Sequence, residues 1–189
     1  LWPTNAEVSK LVDKFVTDCG ASLRQFSPEI VVKEILERAV ASPSQVEAAL
    51  GTPREGKIGI LHHDRDLTIV NIYWTPGLGI YPHDHRMWAV IGLYGGREDN
   101  TFYRRSPEGL QAMGGKQLET GGVTVLGQSV IHAVGNPVRV FAGAIHVYGG
   151  DFFGTPRSEW DQETLQEQPF DIGRARKVLA DANERWFAE

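Results

Sequence analysis

The chain has 189 residues, 41% of them hydrophobic and 23% charged, with a formal net charge of -5. That composition is ordinary for a folded domain with a real core, and the mildly acidic balance without a basic cluster argues against a nucleic-acid partner. No apolar run approaches the ~20 residues of a membrane helix, and the single cysteine, Cys19, excludes an internal disulfide framework. A reducing, cytoplasmic setting is therefore expected.

Residues 1–56 read as a helical layer. Val8, Leu11, Val12, Phe15 and Val16 recur at helical spacing over 5–19, with Asn5 as cap and Gly20 as stop. Cys19 ends this helix as a small packing residue. A second helix over 28–41 has Ser27 as cap, Pro28 in the first turn and an apolar face of Ile30, Val31, Ile35 and Leu36. A third runs from Ser42-Pro43 to Leu50 and stops at Gly51. This part carries no evident chemistry and is expected to pack on a sheet.

From about residue 57 to 150 the chain becomes dense in Gly, β-branched and aromatic residues. Strand-like runs recur at 57–62, 67–74, 87–94, 99–104, 116–120, 122–126, 130–134 and 138–148. Short strands at this spacing, without intervening helices, predict a mainly β sandwich or barrel. The stretch Arg97–Arg105 reads as a charged, solvated strand face. Residues 151–170 read as irregular, and 171–187 as a last helix capped by Asp171, with Ile172, Ala175, Val178 and Leu179 on one face. The whole is expected to be one domain of 1–189.

One stretch stands out chemically. In Tyr81-Pro82-His83-Asp84-His85, side chains alternate along an extended chain, so His83 and His85 point the same way and Asp84 away. Two imidazoles on one face make half of a metal site; alone, the pattern also fits two surface histidines at a turn. His132 lies on a later strand-like run. A strand distant in sequence can pass beside the first and add a third imidazole.

These positions resemble the cupins. Gly77, His83, His85 and Gly96 fit the first cupin motif, and Gly121, His132 and Asn136 fit the second. The glutamate of the first motif falls on Ala89, and the proline and glycine before His132 fall on Gly127 and Ser129. Glu98 lies too late to replace that glutamate. The resemblance implies a double-stranded β-helix (jelly-roll) barrel with N-terminal helices and a C-terminal helix. It also implies a metal held by His83, His85 and His132.

Within the cupins, a three-histidine set without glutamate resembles the cysteine dioxygenase family of thiol dioxygenases. Ala144-Ile145-His146-Val147-Tyr148 resembles that family's Ser-x-His-x-Tyr element, with alanine in place of serine. Trp74 resembles an aromatic residue kept near its site. This likeness implies Fe(II), with Zn, Ni or Co also suited to the donors. The substrates it implies are a small thiol, such as cysteine or 3-mercaptopropionate, and O2, giving the sulfinate. Tyr148 and His146 are then the catalytic pair, the hydroxyl of one oriented by the ring of the other.

The arginine that holds the substrate carboxylate in cysteine-specific members has no clear counterpart. His62 stands in its region, and Arg65 serves if the loop shifts the alignment, although His62 and His63 also suit a solvated turn. No tyrosine–cysteine crosslink is expected, since neither Ala89 nor Val90 is cysteine. Two alternatives stand beside this reading. One is another metal-dependent cupin enzyme, an isomerase or a dioxygenase acting on carbon. The other is a metal-binding cupin without catalysis.

Overall fold

A computed structural model describes residues 5–107 and 109–189, without the side chains of residues 5–8. The expected Asn5 cap and the contribution of Val8 lie outside these. Three helices, α1 (Asn5–Ser22), α2 (Pro28–Val40) and α3 (Pro43–Leu50), precede the strands β1 (Lys57–His63), β2 (Thr68–Trp74), β3 (Gly79–Asp84), β4 (Ala89–Gly95), β5 (Arg97–Ser106), β6 (Gly109–Glu119), β7 (Val123–Leu126), β8 (Ile131–Gly135) and β9 (Ala142–Tyr148). Two short strands, β10 (Ser158–Trp160) and β11 (Glu167–Pro169), lead to α4 (Ile172–Ala188).

The strands form two antiparallel sheets, ordered β1-β2-β9-β4-β7 and β11-β10-β3-β8-β5-β6. Their pairing is nested. β5 pairs with β6, β4 with β7, β3 with β8 and β2 with β9, and the folded-over ribbon is split between the two sheets. This is the double-stranded β-helix, reached here from strand order alone.

Alternation along the central strands explains their all-apolar sequences. Val70, Ile72 and Trp74 of β2, Ala89, Ile91 and Leu93 of β4, and Ala142, Ala144 and Tyr148 of β9 belong to the core between the sheets. Their neighbours Ile69, Tyr73, Val90, Tyr94, Ile145 and Val147 pack instead with Cys19, Val32, Ile35, Leu36 and Val40 of the helices. The first sheet is thus buried on both faces, and so its strands do not alternate with polar residues. The helical front is the packing layer its sequence suggests. Burial pushes the Cys19 thiol up to about 12, with the Asp18 charge adding to it.

Several local expectations are corrected. α1 continues past Gly20 to Ser22, whose hydroxyl donates to the Cys19 carbonyl at 2.6 Å. Ser27 occupies the cap position of α2, but its side chain makes no capping bond. The buried face of α2 contains Val32, while Ile30 is exposed. Gly51 does end α3, in the left-handed region at φ 95°, and Asp171 does cap α4 through the Gly173 N–H at 2.8 Å. β9 starts only at Ala142, because Asn136 turns the preceding segment by donating to the carbonyls of Trp74 and Val140. The hairpin β5–β6 is longer than its apolar positions suggest, since β6 is mostly exposed. The tail after residue 150 is not irregular: β10 adds to the edge of β3 with Glu159 opposite His83.

α4 closes one end of the barrel. Asn183 accepts from the Gly56 N–H and the Thr75 hydroxyl, both at 2.6 Å, and donates back to the Gly56 carbonyl at 2.9 Å. Leu179 and Ala182 join the core between the sheets.

On the opposite side of the first sheet, α2 approaches β4 so closely that a Cβ on Gly92 would lie 2.6 Å from the Leu36 side chain. Leu36 is fully buried. Gly92→Ala is therefore expected to reduce the unfolding free energy by about 1–3 kcal/mol, measured by urea denaturation. Combined with Leu36→Ala, it should cost less than the two single losses together.

Candidate metal centre

β3 and β8 pair with His83 directly opposite His132. Cross-strand partners share a face, so both rings enter the core between the sheets. His85 follows just past the end of β3. Asp84 between them turns outward, accepting from the Ser158 N–H at 2.8 Å and the Arg86 guanidinium at 2.6 Å. The parity argument for the HxH pair therefore holds. The chain then turns sharply at Arg86, whose φ is +58°.

The three imidazoles converge. Ring centroids lie 5.1 Å apart for His83–His85, 4.6 Å for His83–His132 and 4.9 Å for His85–His132. One nitrogen from each falls within 4.8 Å of the others, and all three residues are buried. Among the described residues this is the group of His, Cys, Asp and Glu side chains that can hold a metal ion, and Glu98 adds no oxygen to it. Ala89, in the position of the cupin glutamate, sits opposite Tyr148 in the β4–β9 ladder and offers no ligand atom.

Outer contacts fix which nitrogens face inward. His83 donates from Nδ1 to the Tyr81 carbonyl at 3.1 Å. Asn100 donates from Nδ2 to Glu98 at 2.9 Å, and a carboxylate only accepts, so the Asn100 carbonyl faces His132 Nδ1 at 2.7 Å and takes its proton. Nε2 of His132 is then a bare lone pair, 3.3 Å from Nε2 of His85. A cation bound between them satisfies both, and the donor set fits a divalent metal.

Burial also keeps the rings neutral, as ligation requires. Desolvation pushes His83 down to about 4, reinforced by the Arg157 charge and opposed by the bond to Tyr81. Desolvation holds His85 and His132 well below the ordinary histidine range, and the neighbouring imidazoles act in the same direction.

The cavity beside the histidines encloses about 40 Å³ and is walled by Trp74, Ile80, Phe152, Phe170, Ile172 and Leu179, among others. At ~10–15 Å³ per water, that is space for about three. A larger cavity, about 350 Å³, lies between the helices and the first sheet against Phe15, Ile35 and Leu50. It gathers no ligating cluster, so the chemistry belongs to the smaller one.

His146 and Tyr148 of β9 both line the small cavity. The Tyr148 hydroxyl is 3.1 Å from His146 Nδ1. Its ring stacks on Phe152 at 4.1 Å and meets His85 edge-on at 5.0 Å. Desolvation pushes its pKa well above the ordinary tyrosine value, so the phenol keeps its proton. Trp74 also lines the cavity and donates from Nε1 to Glu98 at 2.7 Å.

His62 and Arg65 do not reach this cavity. Ile58 and Ile60 pair with Ile72 and Val70, which face the barrel interior, but a bulge between Ile60 and His62 shifts the register. His62 therefore pairs with Ile69, which faces the helices. Its Nε2 binds Asp64 at 2.8 Å. Arg65 projects from the following turn with 93% of its side chain exposed, 3.6 Å from Asp66. Neither residue can hold a substrate at the histidines.

Three buried polar residues near the histidines escaped the sequence reading. Glu98 and Asn100 are buried, contrary to a solvated Arg97–Arg105 face. Their parity with Phe102, half-buried against the core, was the available signal. Burial works to raise the Glu98 carboxyl but is outweighed by the nearby His146 and by hydrogen bonds from Asn100 and Trp74, which hold it below its usual range. The third is Arg157, in the tail. Its guanidinium lies 3.5 Å from the Phe170 ring centre and 4.1 Å from that of Phe152, both cavity walls. It donates to the carbonyls of Asp84 and Phe152, each at 3.2 Å, while its buried Nε has no partner. Nothing in its local sequence marks it, because the residues it stacks on come from elsewhere in the chain.

No protein-family model matches the chain. Its structure is similar to solved cupin-fold proteins. An RmlC-like cupin from Methanocaldococcus jannaschii has a TM-score of 0.45 at 11% identity, over 53% of this chain and 84% of that one. DMSP lyase DddQ from Ruegeria pomeroyi has 0.46 at 16%, over 58% and 53%. Oxalate decarboxylase from Bacillus subtilis has 0.39 at 17%, over 48% of this chain and only 22% of that one.

The depressed histidines have a measurable consequence. An unfolded chain protonates His83 near its ordinary 6.5, but the folded chain only near 4. Between these values the unfolded state binds more protons. The stability of metal-free protein is then complete above pH 6.5 and falls towards pH 4, by about 3 kcal/mol for His83 alone. Urea unfolding across this range is expected to show the fall, and His83→Gln to flatten it.

Proposed function

We propose that the protein is an Fe(II)-dependent thiol dioxygenase acting on a small thiol that also carries a carboxylate, such as 3-mercaptopropionate or cysteine. The observation that carries this reading is a centre of three neutral histidines that, among the described residues, has no carboxylate ligand, flanked by a tyrosine hydroxyl and by a buried arginine that makes no salt bridge there.

Charge supports the substrate class. Three imidazoles leave a divalent ion its full +2. Arg157 adds a buried positive charge that makes no salt bridge among the described residues, and desolvation pushes it down to about 10. Glu98 offsets one unit. The surplus is matched by a thiolate and a carboxylate on one small molecule. Cysteamine supplies no carboxylate and leaves Arg157 uncompensated, which is costly for a buried charge.

Bound iron supplies the redox chemistry that brings O2 and the thiolate together, with both oxygen atoms ending on sulfur as the sulfinate. The donors alone also suit Zn, Ni or Co, so iron rests on the need for O2 chemistry. The chain's own residues do the rest. Arg157 holds the carboxylate and is itself fixed by Phe152, Phe170 and two backbone carbonyls. Trp74, Phe152, Phe170 and Leu179 keep water from the reacting sulfur. Tyr148, protonated at neutral pH, sets its hydroxyl oxygen beside the reacting group, and His146 holds that hydroxyl in place.

The test is O2 uptake by Fe(II)-loaded protein with 3-mercaptopropionate, cysteine and cysteamine in parallel, with sulfinate measured alongside. Uptake with a carboxylated thiol, absent in His132→Ala, is expected. No uptake with any thiol despite one iron per chain removes this reading in favour of other metal chemistry. Arg157→Lys and Arg157→Met test the anchor. KM for the carboxylated thiol should rise about tenfold or more, from the ~1.5–3 kcal/mol of hydrogen bonds to a charged group, with iron content unchanged.

A further inference from the structure

His146 stands between two unlike neighbours. Nδ1 meets the Tyr148 hydroxyl at 3.1 Å. Nε2 is buried without a hydrogen bond, and Glu98 Oε2 is 3.5 Å away, within ion-pair range but outside hydrogen-bond geometry. Ala144, two residues earlier on the same face of β9, offers only a methyl group.

Glu98 comes from β5 in the other sheet and is fully buried. Its remaining partners are the Trp74 indole N–H at 2.7 Å and the Asn100 amide at 2.9 Å. Both are donors and both are neutral. A carboxylate kept this far from water needs further donors. A small movement closes the gap to His146 Nε2, the one unsatisfied nitrogen at that ring.

We infer that Glu98 is a positioning residue: it accepts the Nε2–H of His146 and thereby presents Nδ1 to the Tyr148 hydroxyl. The carboxylate is acceptor-only, so the proton of the neutral ring belongs at Nε2. The lone pair at Nδ1 then receives the Tyr148 O–H and sets its rotation. The phenol oxygen faces the cavity with its lone pairs free, ready to accept a hydrogen bond from the substrate. This is the orienting role a third group plays behind a histidine in other catalytic arrays, built here across two sheets. Glu98 also reaches His132 through Asn100, so a second route to the metal exists and has to be separated from the first. The effect on rate rests on the thiol dioxygenase reading; the effect on the ring does not.

Two measurements test it. Long-range 1H–15N spectra of metal-free protein are expected to place the His146 proton at Nε2, and Glu98→Gln to shift it towards Nδ1. A wild-type ring protonated only at Nδ1, or an unchanged ring in Glu98→Gln, overturns the inference. In iron-loaded protein, Glu98→Gln should reduce kcat about 10- to 100-fold with KM and iron content little changed, and Glu98→Asp should recover part of the loss. In a Tyr148→Phe background, Glu98→Gln should then cost less than about twofold more. A loss undiminished in that background, or accompanied by loss of iron, assigns Glu98 to the Asn100–His132 route and overturns the inference. Absence of thiol-dependent O2 uptake removes the proposed function, while the spectra still decide the ring.

Discussion

Three buried imidazoles that turn one nitrogen each toward a common point in the core are the constraint around which the rest is arranged. Lone pairs within 4.8 Å repel unless a cation lies between them, and each ring must stay neutral to offer its lone pair at all. Both conditions are met from outside the cluster. The Tyr81 and Asn100 carbonyl oxygens take the Nδ1 protons of His83 and His132, and the surrounding apolar side chains make protonation costly. Asn100 is in turn oriented by Glu98. The direction of one lone pair on His132 thus depends on a carboxylate two residues removed on β5.

The same carboxylate links the two halves of the site. From Glu98 one arm runs through Asn100 to His132, and another leads through His146 to Tyr148. Trp74 anchors the junction. A buried polar network of this kind is stable only when its members are satisfied together. The one loose joint, between Glu98 and His146, lies on the arm that ends at the tyrosine.

The tail completes the centre from the other side. β10 extends the sheet at β3, and Asp84, between the two ligands of the HxH pair, receives the Ser158 N–H. Arg105 pairs with Glu167 at 2.6 Å and lies over Trp160, which ties the tail to β5. This docking brings Arg157 onto the Phe152 and Phe170 rings that wall the cavity. α4, held by Asn183 and by the core packing of Leu179, forms the remaining wall. Segments with little chemistry of their own therefore decide the size and charge of the space.

Much of this was legible in the sequence. The two-residue period placed His83 and His85 on one face and Asp84 on the other, because alternation is a local property of an extended chain. The helical front announced a layer packed on a sheet, and the succession of short strands and turns announced a sandwich or barrel. His146 and Tyr148 were marked by their resemblance to the Ser-x-His-x-Tyr element, and the same parity puts them on one face. Tertiary structure alone decided what parity could not. A bulge in β1 turned His62 from the cavity to the helix side, since one extra residue reverses every later side chain. Glu98 and Asn100, in a charged run that resembles a solvated edge, are buried because their side chains face the barrel interior against Trp74, His146 and His132. Arg157 reached the site only when the tail added to β3, a contact between positions some 73 residues apart. Local patterns are encoded by neighbours along the chain. Which polar groups are deprived of water depends on strands that meet only after folding.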